Sequence, residues 1–137
     1  MLALLKLDHV GAAIGFSGDA LPFVATCKMQ CEPLAWAMLR RDGEQPRRGL
    51  LGFWLGEKHQ GRGVMKEAMP AVVAAGFGLL NLDVVEAGAR PQSLASFSVM
   101  RACGMKPVGE RWFYVLARNQ NELCQFYEID RLRPPPR

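Results

Sequence analysis

The chain has 137 residues, 50% of them hydrophobic and 22% charged, with 17 basic and 13 acidic side chains and a formal net charge of +4. This length carries one domain around a single core, and the composition excludes fibrous and low-complexity chains. The positive balance favours anionic ligands without naming one; the basic residues are scattered, with no stripe of interleaved aromatics, so nucleic acid is not the expected partner.

Met1 to Leu21 is apolar but broken by Lys6, Asp8 and His9, and no basic segment precedes the run, so neither a signal peptide nor a membrane span is expected. Leu2, Leu4, Leu5 and Leu7 suit a short strand, and Gly11, Gly15 and Gly18 argue against a long helix. Phe23–Cys27 and Leu34–Leu39 read as two strands joined by a turn at Gln30–Pro33. Arg40–Arg48, with its Asp42-Gly43 pair and Pro46, reads as an exposed hairpin loop, and Gly49–Leu55 as the next strand. Four cysteines, Cys27, Cys31, Cys103 and Cys124, lack the spacing of a zinc site; no metal is expected, and reduced thiols in a cytoplasmic protein are the simpler account.

Val64, Met65, Ala68, Met69, Val72, Val73, Gly76, Phe77 and Leu80 recur at helical spacing, so the glycine-rich segment Gly56–Gly63 lies at a helix N-terminus. The first N–H groups there have no partner inside the helix and the dipole is positive, a natural cradle for phosphate. Gly61 and Gly63 let an anion approach the backbone, and Arg62 and Lys66 add charge. The segment has neither the Gly-Lys-Ser/Thr ending of the nucleoside-triphosphate loop nor Gly-x-Gly-x-x-Gly spacing, and a plain tight turn is the competing account. Pro70 predicts a kink in the helix, which is expected to run to about Leu79 with Asn81 as an end signal.

Beyond a strand at Asp83–Ala89, Pro91-Gln92-Ser93 introduces a second short helix with Leu94, Phe97, Met100 and Cys103 on one face, Ser93 as N-cap and Gly104 just past its end. Glu110–Arg118 and Glu122–Asp130, rich in aromatic residues, form a closing hairpin around Asn119-Gln120-Asn121, and residues 132–137 read as a disordered tail.

Gln60-Gly61-Arg62-Gly63-Val64-Met65 resembles the Gln/Arg-x-x-Gly-x-Gly/Ala loop of the GNAT superfamily of N-acetyltransferases. Downstream, Glu86-Ala87, then Pro91-Gln92-Ser93-Leu94-Ala95-Ser96 and Val99–Met105, is similar to a second segment of that family, in the branch that acetylates ribosomal-protein N-termini. The resemblance covers roughly residues 23–131. It implies an α/β (α+β) fold in one domain over residues 1–137: a mixed, mostly antiparallel sheet with a splayed parallel strand pair and flanking helices. It implies acetyl-coenzyme A as cosubstrate, with the pyrophosphate on Gln60, Gly61, Arg62, Gly63, Val64, Met65 and Lys66. The pantetheine arm would lie along the backbone of Phe53, Trp54 and Leu55, and Ser93 and Ser96 would touch the cofactor.

Acetyl transfer to a primary amine, on a protein N-terminus or a small molecule, also needs a proton for the departing thiolate, and Ser96 and Tyr114 are the candidates. The resembling branch often has a glutamate two residues ahead of the strand glycine, where this chain has Leu50, and an asparagine where it has Ser93. The helices that the family places ahead of residue 23 do not fit in the preceding residues. The acceptor groove is then more open, or is completed by a second copy in a homodimer, or the chain is a catalytically degenerate acyl-CoA-binding module.

Overall fold

The computed structural model describes the backbone of residues 2–7, 10–15, 18–27, 33–55, 64–115 and 118–131, and the side chains there except at 2–7, 10–15, 25–27, 33–35, 54–55 and 64. Its elements in chain order are β1 (Leu2–Leu7), β2 (Val10–Gly15), β3 (Ala20–Cys27), β4 (Pro33–Arg41), β5 (Arg48–Leu55), α1 (Val64–Leu79), β6 (Val84–Ala89), α2 (Leu94–Ala102), β7 (Lys106–Val115) and β8 (Gln120–Asp130). They form one eight-stranded sheet in the order β1-β2-β3-β4-β5-β6-β8-β7. Every pairing is antiparallel except β5 with β6, which α1 joins as a crossover. This is the mixed, mostly antiparallel sheet with one parallel pair that the resemblance implies.

The leucines at the start do form a strand. The residues after them form a second one, β2, despite Gly11 and Gly15; glycine weakens a helix as it does a strand, and here pairing with β1 and β3 on either side decides. Further along, strand periodicity sets one face against the helices. Leu21 and Phe23 of β3, Ala37 and Leu39 of β4, Leu51 of β5, Val85 and Ala87 of β6, and Tyr127 and Ile129 of β8 are buried together.

Across from them lie Met65, Ala68, Met69, Val72, Val73, Phe77 and Leu80 along α1, at the spacing the sequence predicts. The helix sits close because a glycine on β5 and another on α1 leave room for Leu39 and Leu82 between them. A Cβ on Gly49 would come within 2.5 Å of Leu82 Cδ1, and one on Gly76 would collide with Leu39 Cδ2. The helix runs through Pro70 without a break in its secondary structure. It ends as Leu80 and Leu82 both donate to the Gly76 carbonyl, with Asn81 at φ 54°.

In α2 the buried residues are Phe97, Val99 and Met100, with Cys103 beyond its end. Leu94, expected on that face, is 73% exposed because it opens the helix, before α2 packs on the sheet. Gly104, at φ 83°, is in the left-handed conformation that suits the residue after a helix. Residues 132–137 lie outside the described residues.

Candidate functional site

The parallel pair is the irregular place in the sheet. β5 and β6 are paired only through Arg48 with Val84, Gly49 with Val85 and Leu50 with Glu86. Beyond that vertex β5 stays with β4 as far as Leu55, and β6 stays with β8 as far as Ala89. Leu51–Leu55 and Ala87–Ala89 therefore face each other across a gap, each strand held from its outer side. Backbone groups turned into the gap have no ladder partner, and such groups call for one. The gap opens toward the C-terminal ends of both parallel strands, where ligands settle in open α/β sheets.

The vertex is set by the loop between β4 and β5. Asp42 Oδ1 accepts the N–H groups of Glu44 at 2.7 Å and Gln45 at 3.2 Å, a turn that brings Arg47 and Arg48 back toward the sheet. The Arg47 carbonyl accepts from Asp83 N at 2.6 Å and Val84 N at 3.2 Å. Its guanidinium forks onto the Asp83 carboxylate at 2.9 and 2.8 Å. A backbone bond and a side-chain fork at one point fix where β6 starts beside β5.

On the outer face, away from the helices, four charged side chains meet at the vertex. Arg48 Nη2 donates to Glu86 Oε2 at 3.1 Å and to Glu128 Oε2; Arg111 Nη2 donates to the same Glu86 oxygen at 2.5 Å. Burial opposes the Arg48 charge, but the Glu128 and Glu86 carboxylates hold its pKa above the ordinary value. Arg111 is steadied from below by the Phe126 ring, whose centroid lies 3.9 Å from its Cζ. That ring lies where Gly88 has no side chain: a Cβ there would come within 2.7 Å of it.

The expected site residues divide into groups. Phe53 is half-buried against the core beside the gap, as is Ala89 opposite. Trp54 and Leu55 lie on the β5 backbone along the gap, with side chains outside the described residues. Gln60, Gly61, Arg62 and Gly63 are outside the described residues, and Val64 is described only as the first residue of α1. Lys66 is exposed on the first turn of α1. Met65 points into the core, 2% exposed, so only its backbone can serve an anion.

Ser93 and Ser96 are half-buried at the start of α2, which follows the open end of β6. Ser93 occupies the N-cap position but its side chain makes no cap bond; its carbonyl receives Ser96 N at 3.1 Å and Phe97 N at 3.3 Å. Tyr114 is not brought to the gap. It pairs with Asn121, four positions beyond the Gln125 that faces Ala89, so it stands about 13 Å farther along the strand direction. Its hydroxyl donates to Asn119 Oδ1 within its own hairpin.

Among the described residues no group of three or more His, Cys, Asp or Glu could hold a metal ion, and no helix is long and apolar enough to cross a membrane. A surface depression of about 210 Å³ beside Val84, Lys106 and Asp130 lies at the closed end of β6, away from the gap.

A family model described as "Acetyltransferase (GNAT) domain" matches residues 13–106, more than half of the chain. The chain belongs to the GNAT acetyltransferase family. Among curated proteins, this GNAT chain is 37% identical over 59 residues to YjcK of Bacillus subtilis, described as a "probable N-acetyltransferase"; the match spans 43% of this chain and 33% of that protein.

Among solved structures, ribosomal-protein-S5-alanine acetyltransferase from Vibrio fischeri is similar with a TM-score of 0.73 at 22% identity, over 85% of this chain and 64% of that one. RimJ from Mycobacterium smegmatis, in complex with CoA-disulfide, has a TM-score of 0.73 at 21% identity, over 87% and 56%. Spermidine N-acetyltransferase from Vibrio cholerae, in complex with CoA and spermine, has a TM-score of 0.66 at 17% identity, over 84% and 68%. The chain thus spans one third of the curated relative and less than two thirds of the first two of these structures. The structural likenesses show the fold.

Glu86, Arg48 and Arg111 had no assigned role in the sequence. Glu86 stands in the quoted Glu-Ala segment, but only the register shows it across from Leu50 at the end of the parallel pairing.

Proposed function

We propose that this GNAT domain transfers an acetyl group from acetyl-coenzyme A to a primary amine, on a protein N-terminus or a small molecule. The observation that carries this reading is the three-residue parallel pairing that opens into two unpaired strand edges, Leu51–Leu55 and Ala87–Ala89. An arm bearing amides fits such a gap as an added strand fits a sheet edge.

Bound there, acetyl-coenzyme A supplies the activated acyl group. The backbone of Phe53, Trp54 and Leu55 holds the arm, and the loop at Gln60–Gly63, with the N-terminus of α1 and Lys66, holds the pyrophosphate. Ser93 has its hydroxyl free of capping, Ser96 is one turn on, and both stand at the start of α2, which follows the open end of β6; in this reading Ser96 gives the proton to sulfur. In the net reaction the amine nitrogen bonds to the acetyl carbon, the carbon–sulfur bond breaks, nitrogen loses its proton to water and sulfur gains one. Tyr114, with its hydroxyl engaged elsewhere, takes no part. The free thiols of Cys103 and Cys124 fit a cytoplasmic setting.

The test is calorimetric titration of acetyl-coenzyme A into the wild type and into a Gly61→Glu/Gly63→Glu variant, followed by thiol release with a panel of amines. Saturable binding that the variant loses, with turnover on at least one amine, is expected. Binding without turnover on any amine would favour a degenerate acyl-CoA-binding module, and no binding at all would overturn the reading.

A further inference from the structure

The strands β5 to β8 hold glycines at 49, 52, 88 and 109. All but one have a reason in the fold: Gly49 and Gly88 each stand where a Cβ would strike a neighbouring side chain, and Gly109, at φ 120°, sits at the register shift of β7. Gly52 has no such reason. It lies opposite Met38 in an unbroken register, its φ is not left-handed, and among the described residues nothing lies within 4 Å of where its Cβ would be. Glycine weakens the interior of a strand, and one that neither bends the chain nor clears its own fold marks a place where something else comes close to the backbone.

Gly52 also stands at the depth in the gap where the acyl group belongs. The gap closes at Leu50 with Glu86, and α1 begins beyond its other, open end. With the pyrophosphate at the open end, the arm brings its thioester toward the closed one, and the acyl carbons beyond sulfur have to turn out of the sheet. On the helix face there is no room, because Leu39, Leu82, Val85 and Ala87 are fully buried there. On the outer face the β6 bank is occupied: the Phe126 ring fills the space at Gly88, and Arg48 and Arg111 close on Glu86. The β5 bank is bare at Gly52.

What borders that bare spot is apolar. Leu50 stands two residues before Gly52 on the same face and Met38 across from it, both half-buried. Pro22 pairs with Met38 from the far side, and one row on, Val24 pairs with Trp36. Val24 is 44% and Trp36 47% exposed, large apolar surfaces that no described residue covers. The bare spot thus continues as an apolar strip from β5 across β4 to β3, about 10 Å at two strand spacings. A charged acyl end would lose hydration on such a strip, whereas an alkyl chain gains by leaving water.

We propose that Gly52 opens the acyl subsite to unbranched alkyl acyl groups longer than acetyl, with Met38 and then Trp36 receiving the chain. This rests on the acetyl-transfer reading above and extends its donor. The reaction balances as before: the amine nitrogen bonds to the acyl carbon, the carbon–sulfur bond breaks, nitrogen loses its proton to water and sulfur gains one.

The experiment titrates coenzyme A and its acetyl, butyryl and octanoyl thioesters into the wild type, Gly52→Val and Trp36→Ser by calorimetry, with no amine present and with the octanoyl thioester monomeric. Each methylene that leaves water should tighten binding about two- to fourfold, so the butyryl thioester should bind the wild type about 4- to 16-fold more tightly than the acetyl one. Valine suits a strand, and its side chain at 52 fills the bare spot; the butyryl advantage should shrink to about twofold or less. Trp36→Ser should lower the octanoyl advantage by about three- to tenfold, and the butyryl advantage by less.

Equal affinity of the wild type for the three thioesters, or a butyryl advantage that survives Gly52→Val, overturns the proposal and leaves the transfer reading standing. A flat series in a protein that sediments as a dimer assigns the strip to a second copy and overturns it likewise. Failure of coenzyme A and all its thioesters to bind the wild type overturns both readings. If Gly52→Val does not fold, the wild-type series and Trp36→Ser decide.

Discussion

The two faces of the sheet at the β5–β6 vertex are built on opposite principles. On the helix face, glycines at 49 and 76 let α1 lie directly on the strands, and Leu39, Leu82 and Val85 fill the contact with no exposed surface. On the outer face the alternate positions of the same strands carry Arg48, Leu50, Glu86 and Gly88, and among the described residues no helix covers them. Burial holds one face, and a few directed bonds organise the other. Stability should therefore respond most to changes on the helix face, and less to changes on the outer face.

The largest effect is expected from Leu39→Ala. Leu39 is fully buried against both glycines, and its truncation should cost about 2–5 kcal/mol, read as a drop in the urea midpoint with little change in slope. Gly88→Ala is a smaller insult. The new methyl would push the Phe126 ring aside, with a cost of about 1–3 kcal/mol, and Arg111 would lose its platform. If Gly88→Ala melts like the wild type, the outer face is softer than its geometry implies.

A third handle is acid. Glu122 has its pKa lowered from 4.5 to about 2 by the Arg118 fork and Gln120, with Arg118 and Arg90 adding charge. A carboxyl held low in the folded chain stabilises it above the unfolded value and loses that contribution as pH falls from about 4.5 toward 2. Glu122→Gln should flatten melting temperature against pH in that window, and an unaltered slope would mean that the pair contributes nothing. The smallest change belongs to Trp112→Ser: at 72% exposure on β7 it should shift stability by no more than about 0.5 kcal/mol.

Much of the helix face was legible beforehand, because periodicity records burial directly. The spacing from Met65 to Leu80 predicts the buried stripe of α1, and Asn81 its end. The hairpin loop at Arg40–Arg48 and the strands on either side of it also follow from local signals, although strand ends differ by a few residues.

The outer face was not legible, because its meaning depends on register between strands far apart in sequence. Glu86 gains its importance from Arg48 and Arg111, 38 and 25 residues away. Tyr114 is a candidate proton donor by its hydroxyl alone, and the strand register places it beyond the gap. Leu94 was drawn to the core by its spacing alone, whereas a first-turn residue need not be covered.

The short parallel pairing has one more consequence. A sheet of eight strands ordinarily has two rims, but this one has four, because two more run through its middle from Leu51 to Leu55 and from Ala87 to Ala89. Amides turned toward that interior opening should exchange hydrogen with solvent as fast as those at a frayed border, although they sit between covered strands. Whatever fills the opening would act as a ninth strand, quieting exchange and also denying other chains a template for pairing.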